Sequence, residues 1–185
     1  MFRFLRLAIA ALLLGGVLPV QTASAIEGFG APRILAGRPT LAPFGYVRFC
    51  HKNPDDCRGG KATAIASDAA SLARLGEVNR TINRTIRPRN DKGDVWSADV
   101  ASGDCEDYAL SKRRALVHAG FPAAALRIAV AVTPSGEGHA VLVVRTAKGD
   151  MVLDNRFDTI LSWSRTDLTW KKIASSENPL VWRSI

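Results

Sequence analysis

At Gly120 the hydrophobic pattern of this 185-residue chain changes period, and that change constrains the fold more than any other feature. Before it, Ile65, Ala69, Leu72, Leu75, Val78, Ile82 and Ile86 recur at spacings of three and four, which predicts a helix over 62–87 that Pro88 ends near Arg87. A second helix is predicted over 105–119, closed by Gly120 and followed by Pro122. Beyond it Leu126, Ile128, Val130 and Val132 alternate with other residues, the two-residue period of a strand. After the loop 133–138, His139 to Thr146 reads as a second apolar strand. Ala147-Lys148-Gly149-Asp150 reads as a turn, with Asp150 a turn residue, and Met151 to Leu153 opens a third strand. Leu168 to Ile173 and Leu180 to Arg183 add shorter ones, whereas residues 26–60, rich in Gly and Pro, read as an irregular N-terminal arm. Helices first and a meander of strands afterwards predict an α+β fold, with helices packed on one side of an antiparallel sheet.

The first residues belong to export rather than to the fold. Arg3 and Arg6 precede the apolar run Leu7 to Leu14, and Ala23-Ser24-Ala25 supplies small residues at the spacing of a cleavage site. The run is too short to span a bilayer, which needs about 20 apolar residues. The expectation is a signal peptide over 1–25, a single domain over 26–185, and a periplasmic or secreted location. The formal charge of +8 falls to +6 once Arg3 and Arg6 are removed, and the basic residues are scattered without interleaved aromatics. That pattern argues against nucleic acid as a partner.

An oxidising compartment gives the three cysteines separate fates. Asn53-Pro54-Asp55-Asp56 is turn chemistry that brings Cys50 and Cys57 together as a disulfide, and Cys105 is left over. Cys105 opens the second predicted helix, behind Asp104 as N-cap with Asp107 three positions later in a capping-box arrangement. Gly103 leaves the approach to that end uncrowded. A thiol at a helix start meets free backbone N–H groups and the positive end of the dipole, both of which favour the thiolate. Asp104, Glu106 and Asp107 work in the opposite sense, since carboxylates raise a thiol pKa. A protonated histidine or a bound Ca²⁺ would offset them.

Of the three histidines, His51 and His118 read as surface residues, whereas His139 follows Gly138 and opens an apolar strand. Cysteine first and histidine later is the order of a nucleophile and its base. A third group must orient the imidazole. A tight hairpin centred on Lys148-Gly149 sets Asp154 opposite Val143, four residues from His139 and roughly 13 Å along the strand; Asp158 lies nearer in that register, and a bulge or a wider turn would restore Asp154. Trp96 either walls the cleft, lends its indole N–H, or is a core aromatic.

Asn90-Asp91, Asp94-Val95-Trp96-Ser97, Gly103-Asp104-Cys105-Glu106-Asp107-Tyr108-Ala109, Gly138-His139-Ala140-Val141-Leu142 and Val152-Leu153-Asp154-Asn155 resemble the bacterial transglutaminase-like cysteine peptidases over about residues 44–165. That group includes a periplasmic protease that trims a biofilm adhesin. The resemblance implies a papain-like, transglutaminase-like fold and a Cys105–His139–Asp154 triad, and it selects Asp154 over Asp158. It also implies Ca²⁺ at Asp104, Glu106 and Asp107 in some members, with no cofactor required for the chemistry. The expected activity is peptide-bond hydrolysis through a thioester, with the Cys105 backbone N–H receiving the oxyanion. The expected partners are a protein substrate in the cell envelope and a membrane-anchored regulator of a monomeric enzyme. The same triad would serve a transamidase. A non-catalytic Ca²⁺-binding or adaptor domain would have no need of the three residues together, and a redox protein would use Cys105 in an intermolecular disulfide.

Overall fold

A computed structural model describes residues 32–90 and 93–185; the predicted signal peptide and Asp91 lie outside these residues. Among them, strands β1 (Pro39–Thr40), β4 (Leu126–Val132), β5 (Gly138–Thr146), β6 (Gly149–Leu153), β7 (Leu161–Ser162), β8 (Thr169–Ala174) and β9 (Trp182–Ser184) form one antiparallel sheet in the order β1-β9-β8-β4-β5-β6-β7. Helices α1 (Phe44–Lys52), α2 (Ala69–Thr85) and α3 (Cys105–His118) accompany it. A parallel pair of two-residue strands, β2 (Arg87–Pro88) and β3 (Ser102–Gly103), links the end of α2 to the start of α3. The fold is α+β, as the order of periods predicts. No helix among the described residues is long and apolar enough to cross a membrane.

Two apolar layers flank the sheet. Alternate residues of the central strands, Ile128, Leu142, Val144 and Leu153, join Leu75 of α2, Leu116 of α3 and Tyr46 of α1 in the larger layer. Their neighbours Ala129, Ala131, Val141, Val143 and Val152 pack on the other side with Ile34, Leu168 and Ile173. Burial on both faces explains why the centre of β5, Ala140 to Val144, is apolar without a break, where a half-exposed strand would alternate.

Several boundaries differ from the predicted ones. Residues 62–68 are not helical: Ile65 bridges to Thr146, and Asp68 caps α2 by accepting the Ser71 backbone N–H at 2.7 Å. The segment 26–60 is not wholly irregular, because Phe44–Lys52 is the helix α1. Its apolar residues occur all round the helix, with Tyr46, Phe49 and Cys50 buried but Phe44 and Val47 exposed, so no clean stripe announces it. Cys50 and Cys57 form the predicted disulfide between α1 and a 3-10 turn. Asp150 is no turn residue: it lies in β6, is 0% exposed, and pairs with Arg127 and Arg145, both at 3.1 Å. A carboxylate this buried persists only with such partners.

Candidate active site

The chain delivers Cys105 to the first position of α3. Asp104 and Asp107 make the predicted capping box. Asp107 Oδ2 accepts the Asp104 backbone N–H at 3.3 Å and Oδ1 accepts the Ser97 backbone N–H at 2.8 Å, fastening the preceding loop to the helix start. This arrangement corrects the reason for Gly103: a Cβ there would meet Asp107 Oδ2 at 2.0 Å, so glycine makes room for the capping carboxylate rather than for an incoming substrate. One turn along, Tyr108 donates its hydroxyl to Ile86 O at 2.6 Å and ties α3 to the end of α2.

His139 is the second residue of β5, and the next backbone N–H, that of Ala140, donates to Cys105 Sγ at 3.3 Å. Helix start and strand start thus meet, and Cys105 and His139 line the same cleft. His139 Nε2 lies 2.9 Å from Asp154 Oδ1, which leaves Nδ1 as the nitrogen free to face the sulfur. The pairing of Thr146 with Gly149 makes Ala147-Lys148 the turn, so the register is two residues tighter than a turn on Lys148-Gly149 would give. Asp154, just past the paired residues, therefore extends the ladder toward Val141 rather than Val143. Asn83 Nδ2 donates to Asp154 O at 3.2 Å, and Asn79 Nδ2 to Phe157 O at 2.8 Å, so α2 secures the turn that carries Asp154. Asp158 is instead on the surface, paired with Arg84 at 3.2 Å.

The electrostatics oppose a free thiolate. Burial and then the Glu106 carboxylate push the Cys105 thiol up to about 12, and the Ala140 N–H offsets only part of this. The thiol donates to Glu106 Oε2 at 3.1 Å. Burial raises Glu106 to about 7, with the charge of Asp104 adding to it. The opposition of the carboxylates to the helix start, expected from the sequence, thus adds to the effect of burial. Asp154 behaves oppositely: burial pushes its carboxyl up, but hydrogen bonds from His139 and Arg156 overcome this and hold it well below the usual carboxylate range.

The cleft extends to either side of the sulfur. One arm, about 520 Å³, carries the charged residues Arg89, Glu137 and Arg156. The other, about 220 Å³, is walled by Pro43, Trp96 and Val130. Trp96 is at once cleft wall and core aromatic, edge-on to Tyr46 at 5.5 Å; its indole N–H donates to Asp94 Oδ1 at 2.6 Å, so the role of donor to substrate is taken from it. His51 and His118 are exposed surface residues. Two charged residues of the site go unseen in the sequence: Arg156, which grips Asp154, and Lys112, fully buried on α3 two turns beyond Cys105. Their charge reads as surface, and only the fold reveals otherwise.

The three acidic residues assigned to Ca²⁺ fit such an ion unequally. Asp104 and Glu106 lie close enough for one charge to raise the other, an oxygen pair suited to a hard cation. Both oxygens of Asp107 already accept backbone N–H groups, so this carboxylate is less available to a cation than the other two. Among the described residues no three His, Cys, Asp or Glu converge as a ligand cluster.

The fold has relatives among known proteins. The profile of the bacterial transglutaminase-like cysteine proteinases, BTLCP, matches residues 36–185. The chain is similar to the calcium-bound form of LapG from Legionella pneumophila, with 27% identity over 64% of this chain and 71% of that one, at a TM-score of 0.55. The EGTA-treated form of the same Legionella protein gives 28% identity, coverage of 65% and 70%, and a TM-score of 0.55. No curated protein matches.

Proposed function

The chain belongs to the bacterial transglutaminase-like cysteine proteinases and is a cysteine peptidase; from that premise we propose that it is exported and cuts an envelope protein with Cys105 as nucleophile, His139 as base and Asp154 as the group that orients the imidazole. The observation that carries the proposal is the junction at the sulfur. Cys105 Sγ accepts the N–H of Ala140, the residue next to His139, while His139 Nε2 is fixed on Asp154 at 2.9 Å.

In the reaction, His139 Nδ1 takes the thiol proton as Cys105 Sγ bonds to the scissile carbonyl carbon. The carbonyl electron pair moves onto oxygen, where the Cys105 backbone N–H at the helix start receives it. The C–N bond then breaks, and the leaving amine takes the proton from His139. Water adds to the thioester, giving its proton to His139. The C–S bond breaks, releasing a carboxylic acid, and the sulfur recovers its proton. Asp154 stabilises the imidazolium in both halves without itself becoming protonated.

Bound at Asp104 and Glu106, Ca²⁺ would neutralise the charge that opposes the thiolate; the calcium-bound Legionella relative supports this part of the reading. Residues 1–25 supply the export signal, and the site of action is the periplasm or the exterior. The partners are a protein substrate in the cell envelope and a membrane-anchored regulator, with the enzyme working as a monomer.

Envelope proteins from cells carrying the native chain and its Cys105→Ser variant, compared by mass spectrometry, test the proposal. A truncated protein seen only with the native chain names the substrate. Cleavage that persists with serine at position 105 removes Cys105 as the nucleophile.

A further inference from the structure

A second cavity, of about 370 Å³, lies beside the core layer of Ile34 and Ile173 and shares no lining residue with the cleft around Cys105. Its charged lining is Arg33, Arg127, Arg145, Arg183 and Glu177. Strand β5 carries Arg145 six residues beyond His139, a separation of roughly 20 Å by strand rise.

The carboxylate beneath this cluster is already engaged. Asp150 binds Arg127 and Arg145, both at 3.1 Å, and accepts the Ile34 backbone N–H at 2.8 Å. Arg33 and Arg183 have no carboxylate partner among the described residues; they reach only the carbonyls Ala147 O at 3.5 Å and Gly37 O at 3.4 Å. Set against Asp150 and Glu177, the four guanidinium groups leave two positive charges uncompensated. Arg127 is 5% exposed, its Nε has no hydrogen-bond partner among the described residues, and burial together with the like charges of Arg145 and Arg33 brings its pKa down to about 10 against the pull of Asp150.

We propose that this cavity binds a phosphate-type oxyanion, taken up by Arg33 and Arg183 together with the buried Arg127. Planar guanidinium forks match the oxygen geometry of phosphate, and a dianion matches the surplus charge. The chemistry is common to free phosphate and to the phosphomonoester headgroup of a lipid. Leu35, 83% exposed on the cavity wall, gives the second source an apolar contact. The site is independent of the peptidase chemistry and would bring an anionic ligand to a face remote from the cleft.

The test uses the exported chain and its Arg33→Ser/Arg183→Ser variant, in which both changes are at partly exposed positions and the buried Arg127 is left intact. Each is titrated calorimetrically with inorganic phosphate at constant ionic strength and sedimented with vesicles of phosphatidylcholine alone or with added phosphatidic acid. The expected result is saturable one-to-one binding of phosphate, or selective sedimentation with the phosphatidic acid vesicles, weakened at least tenfold in the variant at unchanged melting temperature. The first outcome identifies a free anion and the second a headgroup. The proposal is overturned if the native chain shows neither, or if the variant binds as the native chain does.

Discussion

Arg156 holds Asp154 from the side opposite His139: its Nε and Nη2 donate to Asp154 Oδ2 at 3.1 and 2.9 Å, while His139 Nε2 meets Oδ1 at 2.9 Å. The Arg156 backbone N–H adds a further bond to Oδ1, also at 2.9 Å. Asp167, bound to Nη2 of the same guanidinium at 2.6 Å, keeps Arg156 in place. The carboxylate that meets His139 is therefore itself held in place. Replacing Arg156 with Ala leaves Asp154 buried with fewer donors, and its pKa must rise. Charge-assisted bonds of this kind contribute about 1.5–3 kcal/mol, so kcat/KM should fall by roughly 10-fold or more. The acid limb of the pH–rate profile should move to higher pH. Lysine should not restore the native profile, because a point charge cannot reproduce the fork. An unmoved acid limb in Arg156→Ala would show that Arg156 only packs.

Glu106 accepts the Cys105 thiol at 3.1 Å and, after burial, is the main cause of its high pKa. In the presence of chelator, Glu106→Gln should lower the thiol pKa, so the pH at which iodoacetamide alkylation reaches half its maximum should fall. Ca²⁺ added to the native chain should shift the same curve in the same direction and should shift that of Glu106→Gln less. Alkylation curves that coincide for native chain and variant, with and without Ca²⁺, would separate Glu106 from the thiol and from the metal.

How much of this site is legible in the sequence depends on what each residue has to do locally. Cys105 and His139 stand out because each opens a regular element whose period is strong, and α3 and β4 to β6 fall close to their predicted bounds for the same reason. Asp154 is different, since its place depends on one hairpin turn. Gly149 invites a turn centred on Lys148-Gly149, but the glycine serves another purpose: its φ is +114° and a Cβ would meet Pro32 O at 2.6 Å. The turn is Ala147-Lys148, and the register closes by two residues. A long-range approach by residue 32 leaves no local mark. Arg156, Lys112 and Asp150 were equally hidden, because burial of a charge is decided by partners distant in sequence.

Lys112 predicts an unusual dependence of stability on pH. Its amine is 0% exposed, its Nζ has no hydrogen-bond partner among the described residues, and burial lowers its pKa to about 7 against the pull of Asp154 and Asp158. The unfolded chain carries this lysine protonated up to its ordinary pKa of about 10.4, so between about 7 and that value the unfolded state binds one more proton. Stability from this group therefore rises with pH across the window and is lost as pH falls toward 7. Lys112→Met should be more stable than the native chain near pH 7 by about 2–4 kcal/mol, discounted from the full shift at 1.36 kcal/mol per pKa unit. The difference should shrink as pH rises. Urea denaturation of both proteins at several pH values between 7 and 10 measures it. Parallel curves would mean that the amine finds a partner in the folded protein.

The choice between Asp154 and Asp158 yields the sharpest comparison. Asp154 is buried against His139, whereas Asp158 is exposed and paired with Arg84 at 3.2 Å, a surface bridge worth about 0–1 kcal/mol. Asp154→Asn keeps the shape but removes the charge that stabilises the imidazolium. It also allows the amide to present N–H to His139 Nε2, which favours the wrong tautomer and leaves Nδ1 protonated, unable to accept the thiol proton. A loss of about 10³-fold or more in kcat is expected, with the folded state retained. Asp158→Asn should change kcat less than about 2-fold, because its carboxylate touches Asn83 and Arg84 on α2 and not the imidazole. Steady-state kinetics on a protein that the native chain cleaves distinguish the two, and equal losses in both variants would place the orienting charge elsewhere than on Asp154.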